Sequence, residues 1–196
     1  MATSWKNVTD LNPKSYVCSY CSNSIASQKG FLGENEHHTQ FFVYICHTCL
    51  SPTYFDGLKK QYPGAVFGQE VKHLPDDEVK SLYGEARKCM TVNAYTGAVL
   101  CSRKLLMNIA VSKGAAEGLS FLEYVDHLAS KGYVPPDGKD WVDHIRQKGN
   151  EATHQIKIMT KEDAEDLITF VEALLKFIYE YPGIIAERKK SVTVKP

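Results

Sequence analysis

Two residues lie between Cys18 and Cys21, and two between Cys46 and Cys49. A C-x-x-C spacing lets one tight turn aim two sulfurs at a common point. Two such turns side by side offer four soft ligands in a tetrahedron, the arrangement of closed structural Zn²⁺ sites. The spacing therefore predicts one structural Zn²⁺ per chain, held by Cys18, Cys21, Cys46 and Cys49. The other readings are a set of reduced buried cysteines or a redox pair. Four thiolates would leave the metal no open position, which points to structure rather than metal catalysis. His37, His38 and His47 lie nearby as substitute ligands, but each reads first as a surface histidine. Cys89 and Cys101 fall outside the pattern and read as small core residues within helices.

The elements that must position these ligands can be read from the flanks. Twenty-four residues separate Cys21 from Cys46, enough for a β-hairpin between the two turns. The run QFFVYI at positions 40–45 is aromatic and β-branched, so it reads as the strand feeding the second pair. Positions 15–17 read as a shorter strand feeding the first. Phe31, Phe41, Phe42 and Tyr44, with Lys6, Lys14 and Lys29, suit either base stacking beside lysines or the small core of this module. The two readings separate on exposure: stacking rings must be open beside lysines, and core rings must not.

From about residue 75 the periodicity changes to helical. Asp76 caps a first helix with Val79, Leu82, Tyr83 and Ala86 on one side. A second helix spans 94–110, stopped near Gly114, and a third spans 120–130. A Pro-Pro-Asp-Gly loop at 135–138 precedes a fourth helix over 139–154. A fifth begins at Thr160, with Leu167, Val171, Leu174 and Ile178 stepping by four, three and four, and is expected to end before Pro182. The expected organisation is a β module over 1–70, a helical bundle over 71–183 and a polar tail over 184–196. The fold class is α+β, mainly α.

On the fourth helix Arg146, Asn150 and His154 sit at i, i+4 and i+8 and so share a face. Such a stripe suits buried hydrogen bonds, an interface or general acid–base chemistry. Arg103, in the middle of the second helix, is a candidate binding residue facing the same space or a structural partner of Glu85.

The chain carries 23 basic and 23 acidic residues, for a formal net charge of +0, which excludes a bulk electrostatic grip on nucleic acid but leaves room for a local patch. No stretch is apolar and long enough to cross a bilayer, and the first residues lack a signal-length apolar run. A cytoplasmic protein with no membrane partner is expected, and in that reducing setting six cysteines are not a disulfide framework. There is no P-loop, no Rossmann glycine pattern and no nucleophile elbow.

The stretches LYGEA at 82–86, AVLCSRKLL at 98–106 and IRQKGNEATH at 145–154, with the closing helix to Tyr181-Pro182, resemble the bacterial family of domain of unknown function 4145. The resemblance covers about residues 75–182, and an N-terminal zinc knuckle fits that family's layout. The bundle is also similar to the wider HEPN group, found in toxin–antitoxin, restriction and antiviral systems. The resemblance implies a zinc-ribbon-like module before a HEPN-like bundle. It implies a non-catalytic interaction or nucleic-acid-binding accessory protein of a bacterial defence or restriction system, with a nucleic acid, a protein or a second copy of the chain as partner. The alternative it implies is a metal-independent RNase working as a homodimer. RNase members carry an Arg, a polar residue, three spacers and a His. Asn150 and His154 match the last two here, Gly149 takes the Arg position, and Arg146 stands one turn earlier. In that reading His154 is the general acid or base, Arg146 stabilises charge and Asn150 orients one of them.

Overall fold

A computed structural model describes residues 4–134, 143, 145 and 158–193. It is an α+β structure: a five-stranded antiparallel sheet followed by helices. The chain divides into two compact units, residues 1–67 with 90–92, and residues 68–89 with 93–196.

The sheet is a meander in the order β1-β2-β3-β4-β5, formed by Thr9–Val17, Ser24–Glu34, Gln40–Ile45, Pro52–Phe55 and Gln61–Tyr62. In a meander, alternate turns fall at the same end. The β1–β2 and β3–β4 turns, which carry the cysteines, therefore share one end, and the β2–β3 and β4–β5 loops share the other. The hairpin expected between the cysteine pairs is β2 and β3, in register from Gly30 opposite Tyr44 to Glu34 opposite Gln40. Strand β1 is longer than the three residues read from the sequence, because it carries an irregularity between Asp10 and Lys14 that interrupts its pattern.

Tyr16, Ile25, Tyr44 and Phe55 form the sheet's core together with Cys18 and Cys46, and Leu11, Phe42, Cys21 and Cys49 pack against them. Tyr16 and Tyr44 each meet Phe55 edge-on, at 5.2 and 5.7 Å between centroids. Burial of these rings supplies most of the unit's apolar stabilisation, and there are few of them for a unit this size.

The helical unit holds most of α1 (Asp77–Thr91), with α2 (Tyr95–Ser112), α3 (Phe121–Ser130) and α4 (Lys161–Leu175). Three of the four starts are capped by a side chain, and α2, which follows Ala94, is not. Asp76 Oδ1 accepts from the Val79 N–H at 2.7 Å. Ser120 with Glu123, and Thr160 with Asp163, form reciprocal capping boxes. The core lies along α2, whose Leu105, Leu106, Ile109 and Ala110 are fully buried, and along the Leu167, Ile168, Val171, Leu174 and Leu175 stripe of α4.

Helix does not stop before Pro182. A π-helical turn over Lys176–Glu180 follows α4, and α5 runs Tyr181–Thr193. Pro182 lies in the first turn of α5, where its missing N–H costs little after the wide π turn. The segment expected as a polar tail beyond 184 is therefore helical to Thr193. Among the described residues no helix is long and apolar enough to cross a membrane.

Candidate metal centre

The two cysteine turns have the same backbone. In the first, Cys18 N–H bonds to Asn23 O at 3.0 Å and Ser22 N–H to Cys18 O at 2.8 Å. In the second, Cys46 N–H bonds to Ser51 O at 3.0 Å and Leu50 N–H to Cys46 O at 2.9 Å. Ser22 (φ 57°) and Leu50 (φ 60°) occupy the left-handed region directly after each pair. That conformation turns the chain sharply enough for the next strand to re-enter the sheet. Holding a leucine there costs about 1–2 kcal/mol. Leu50 O also accepts the Trp5 indole N–H at 2.7 Å, which pins the N-terminal segment to the second turn.

The four sulfurs lie within 4.8 Å of one another. Cys18 Sγ is 3.7 Å from Cys49 Sγ, and Cys21 Sγ is 3.7 Å from Cys46 Sγ. Cys18 and Cys46 are fully buried, and Cys21 and Cys49 are partly exposed. All four are free of disulfides. Sulfurs this close, drawn from two turns that converge through the sheet register, are consistent with a metal site.

The electrostatics are those of crowded thiols. Burial pushes Cys18 up to about 12 and raises Cys21 as well. Burial opposes ionisation of Cys49 too, but the Ser51 hydroxyl and N–H and the neighbouring Cys46 and Cys21 thiols outweigh it and bring Cys49 down to about 6. Thiols this close cannot all ionise together unless a cation shares the space. A divalent ion would supply that charge.

His37, His38 and His47 lie outside the cluster. His38 Nδ1 instead pairs with Glu34 Oε1 at 2.7 Å, and its side chain is 89% exposed. Cys89 and Cys101 are partly buried rather than full core residues, and burial raises both thiols. Arg103 is buried between α2 and α3, with its guanidinium 4.0 Å from the centre of the Phe121 ring. Burial lowers its pKa. Arg146, Asn150 and His154 lie outside the described residues, while Ile145, just before them, is buried.

The aromatics divide between two roles. Tyr44 and Phe55 are core, and Phe42 packs on that core. Tyr54 and Tyr62 are exposed, at 39% and 37%. Phe41 lies parallel to Tyr54 at 6.4 Å, and Tyr54 faces Tyr62 at 5.9 Å. The sequence reading missed Tyr54 and Tyr62. The signal was present in the alternation of β4, where Thr53 and Phe55 point in and Tyr54 points out.

Fold and site together define a two-unit protein, with a four-cysteine cluster in its sheet and a capped helical unit. The family described as Domain of unknown function (DUF4145) matches residues 84–193, more than half of the chain, and the protein belongs to that family. The matched region excludes the four cysteines, so the cluster is an addition to what the family match covers. No curated protein and no solved structure matches the chain.

Proposed function

We propose that this protein is a non-catalytic, zinc-containing accessory protein that binds nucleic acid or a protein partner, with a zinc-ribbon-like sheet and a HEPN-like helical unit. The observation that carries the zinc is the sulfur spacing. A regular tetrahedron with Zn–S bonds of about 2.3 Å has S···S edges of about 3.8 Å. The Cys18–Cys49 and Cys21–Cys46 separations are 3.7 Å. Four thiolates also suit a soft, redox-inert ion better than Mg²⁺ or Ca²⁺, which take oxygen ligands. Cys18, Cys21, Cys46 and Cys49 would hold the ion, which would supply a cross-link and neutralise thiolate charge. With four protein ligands no position is left for substrate, so the metal serves structure.

The interaction role is supported by the exposed Tyr54 and Tyr62 beside the half-buried Phe41, rings that a self-contained module would gain little by leaving open. Native mass spectrometry of the purified chain, repeated after denaturation, tests the reading. One zinc per folded chain that is lost on unfolding is expected, together with retention of single-stranded RNA or DNA at low salt. Zinc-free protein with intact thiols would sink the metal assignment. RNA cleavage abolished by His154→Ala would replace the non-catalytic reading with the RNase one.

A further inference from the structure

At the end of the sheet opposite the cysteines, the β2–β3 and β4–β5 loops share one backbone design. Asn35 N–H bonds to Thr39 O, and the Asn35 side chain accepts from the His37 and Thr39 N–H groups. Asp56 N–H bonds to Lys60 O, and the Asp56 side chain accepts from the Leu58 and Lys60 N–H groups. His38 (φ 57°) and Lys59 (φ 63°) take the left-handed position in each. Gly57 lies so close to Thr39 that a β-carbon there would strike the threonine methyl group. The two rigid loops thus stand side by side as one wall of a cleft of about 510 Å³.

The floor of the cleft is aromatic. Phe42, half-buried, lies nearly parallel to Tyr44 at 6.0 Å, and Tyr44 is held by its hydroxyl donating to Asn12 O at 2.8 Å. The ammonium groups of Lys14 and Lys59 line the cleft, His38 at its edge is bonded to the Glu34 carboxylate, and among the described residues no Asp or Glu is itself part of the lining. Lys14 Nζ rests 4.5 Å from the centre of the Phe55 ring, and neither Lys14 nor Lys59 has a carboxylate partner among the described residues. Lys29, by contrast, is tied to Asp10 at 2.6 Å. In a chain of zero net charge, two ammonium groups without carboxylate partners beside an aromatic floor are the chemistry that suits an aromatic anion.

We propose that this cleft binds single-stranded nucleic acid, with an unpaired base against Phe42 and the adjoining phosphates against Lys14 and Lys59. A duplex keeps its bases stacked inside and offers no face to such a ring, whereas a single strand does. Asn12 and Gln40 also line the cleft. A free nucleotide carries the same chemistry as one unit of a strand. The inference rests on the nucleic-acid side of the function proposed above.

The test is fluorescence anisotropy of a labelled oligouridylate with the full-length, metal-loaded protein, from about 50 to 200 mM salt. The variants are Lys14→Gln with Lys59→Gln, and Phe42→Leu, which keeps an apolar side chain in the core. Melting temperature is followed in parallel. The paired lysine change is expected to flatten the log K against log salt slope by about 1.4, since each single-strand phosphate contact contributes about 0.7. Phe42→Leu is expected to weaken binding about ten-fold. Uridine monophosphate bound as tightly as the oligomer, and lost in the same variants, would support the cleft with a free nucleotide as its ligand. Oligomer binding unmoved by all three changes would overturn the cleft and leave the broader nucleic-acid reading standing. No binding of either probe would overturn both. A phosphoserine peptide that binds through the lysines, indifferent to Phe42, would replace the strand with a protein partner.

Discussion

Replacing Cys46 by serine tests whether the four-cysteine cluster holds the sheet together. Cys46 is fully buried and lies 3.7 Å from Cys21. A metal shared by the two turns would cross-link the chain across the 24 residues between Cys21 and Cys46. Closing a loop of that length removes denatured-state entropy worth about 3.5 kcal/mol in the chain-entropy treatment of cross-links. The serine hydroxyl, buried without a built-in partner, adds about 1–3 kcal/mol. Together these approach the entire stability of a small domain, about 5 kcal/mol at the low end. Among the described residues the sheet's core cluster is small, Tyr16, Ile25, Tyr44 and Phe55 with two buried cysteines, which leaves little reserve. Cys46→Ser should therefore lose its metal and unfold residues 9–62. Trp5 reports the event, because its indole bonds to Leu50 O inside the second turn. Trp141→Phe makes Trp5 the sole tryptophan. The expected result is a red-shifted Trp5 emission and fast amide exchange across β1 to β4, while α2 and α4 stay protected. Chelation of the unmutated cluster should do the same, reversed by added zinc. Full metal content and unchanged exchange in Cys46→Ser would refute both the ligand assignment and the claim that the sheet depends on it.

Three further perturbations have expected outcomes. Gly30→Ala would drive a β-carbon into the Val43 carbonyl oxygen and should cost at least about 3 kcal/mol and release metal, whereas Gly33→Ala, 3.9 Å from its nearest neighbours, should be neutral in the same melt. Glu172 accepts from Gln69 N–H at 2.7 Å, Tyr83 hydroxyl at 3.2 Å and Lys176 at 2.6 Å; burial raises its pKa, but the bonds from Lys176, Gln69 and Tyr83 outweigh it and hold the carboxyl below its usual range. A depressed carboxyl stabilises the fold above its unfolded pKa of about 4.3 and loses that contribution as pH falls toward the folded value, so Glu172→Gln should cost about 1–2 kcal/mol at pH 7 and flatten the acid side of a stability–pH profile. Phe170→Ala, removing a fully buried ring from α4, should cost about 3–5 kcal/mol in urea unfolding at unchanged metal content.

What could be read in advance divides along physical lines. The cysteine turns were legible because two C-x-x-C turns state both residue type and local spacing, and three of the helix starts because Asp76, Ser120 and Thr160 act on N–H groups three residues away. These are local interactions, and a sequence states them directly. The end of the last helix was not legible. Pro182 is a stop signal on average, and only the π turn ahead of it lets the chain pass. The Gly68–Gln69 segment tied to Tyr83, Arg87 and Glu172 was equally hidden, because those bonds join residues up to 103 positions apart.

The aromatics show the same division most sharply. Composition alone could not sort core rings from open ones in a module rich in both. The register does so: β4 faces β3 residue for residue, placing Phe55 opposite Phe42 on the core side and Tyr54 opposite Val43 on the other. Once that alternation is fixed, Lys14 and Lys59 acquire meaning as well. One lies on a strand and the other on a loop 45 positions later, with nothing in their spacing to connect them. They share a cleft because Lys14 of β1 reaches the ring of Phe55, the last residue of β4, beside the β4–β5 loop that carries Lys59, so the sheet that draws the cysteines together at one end assembles a basic, aromatic cleft at the other.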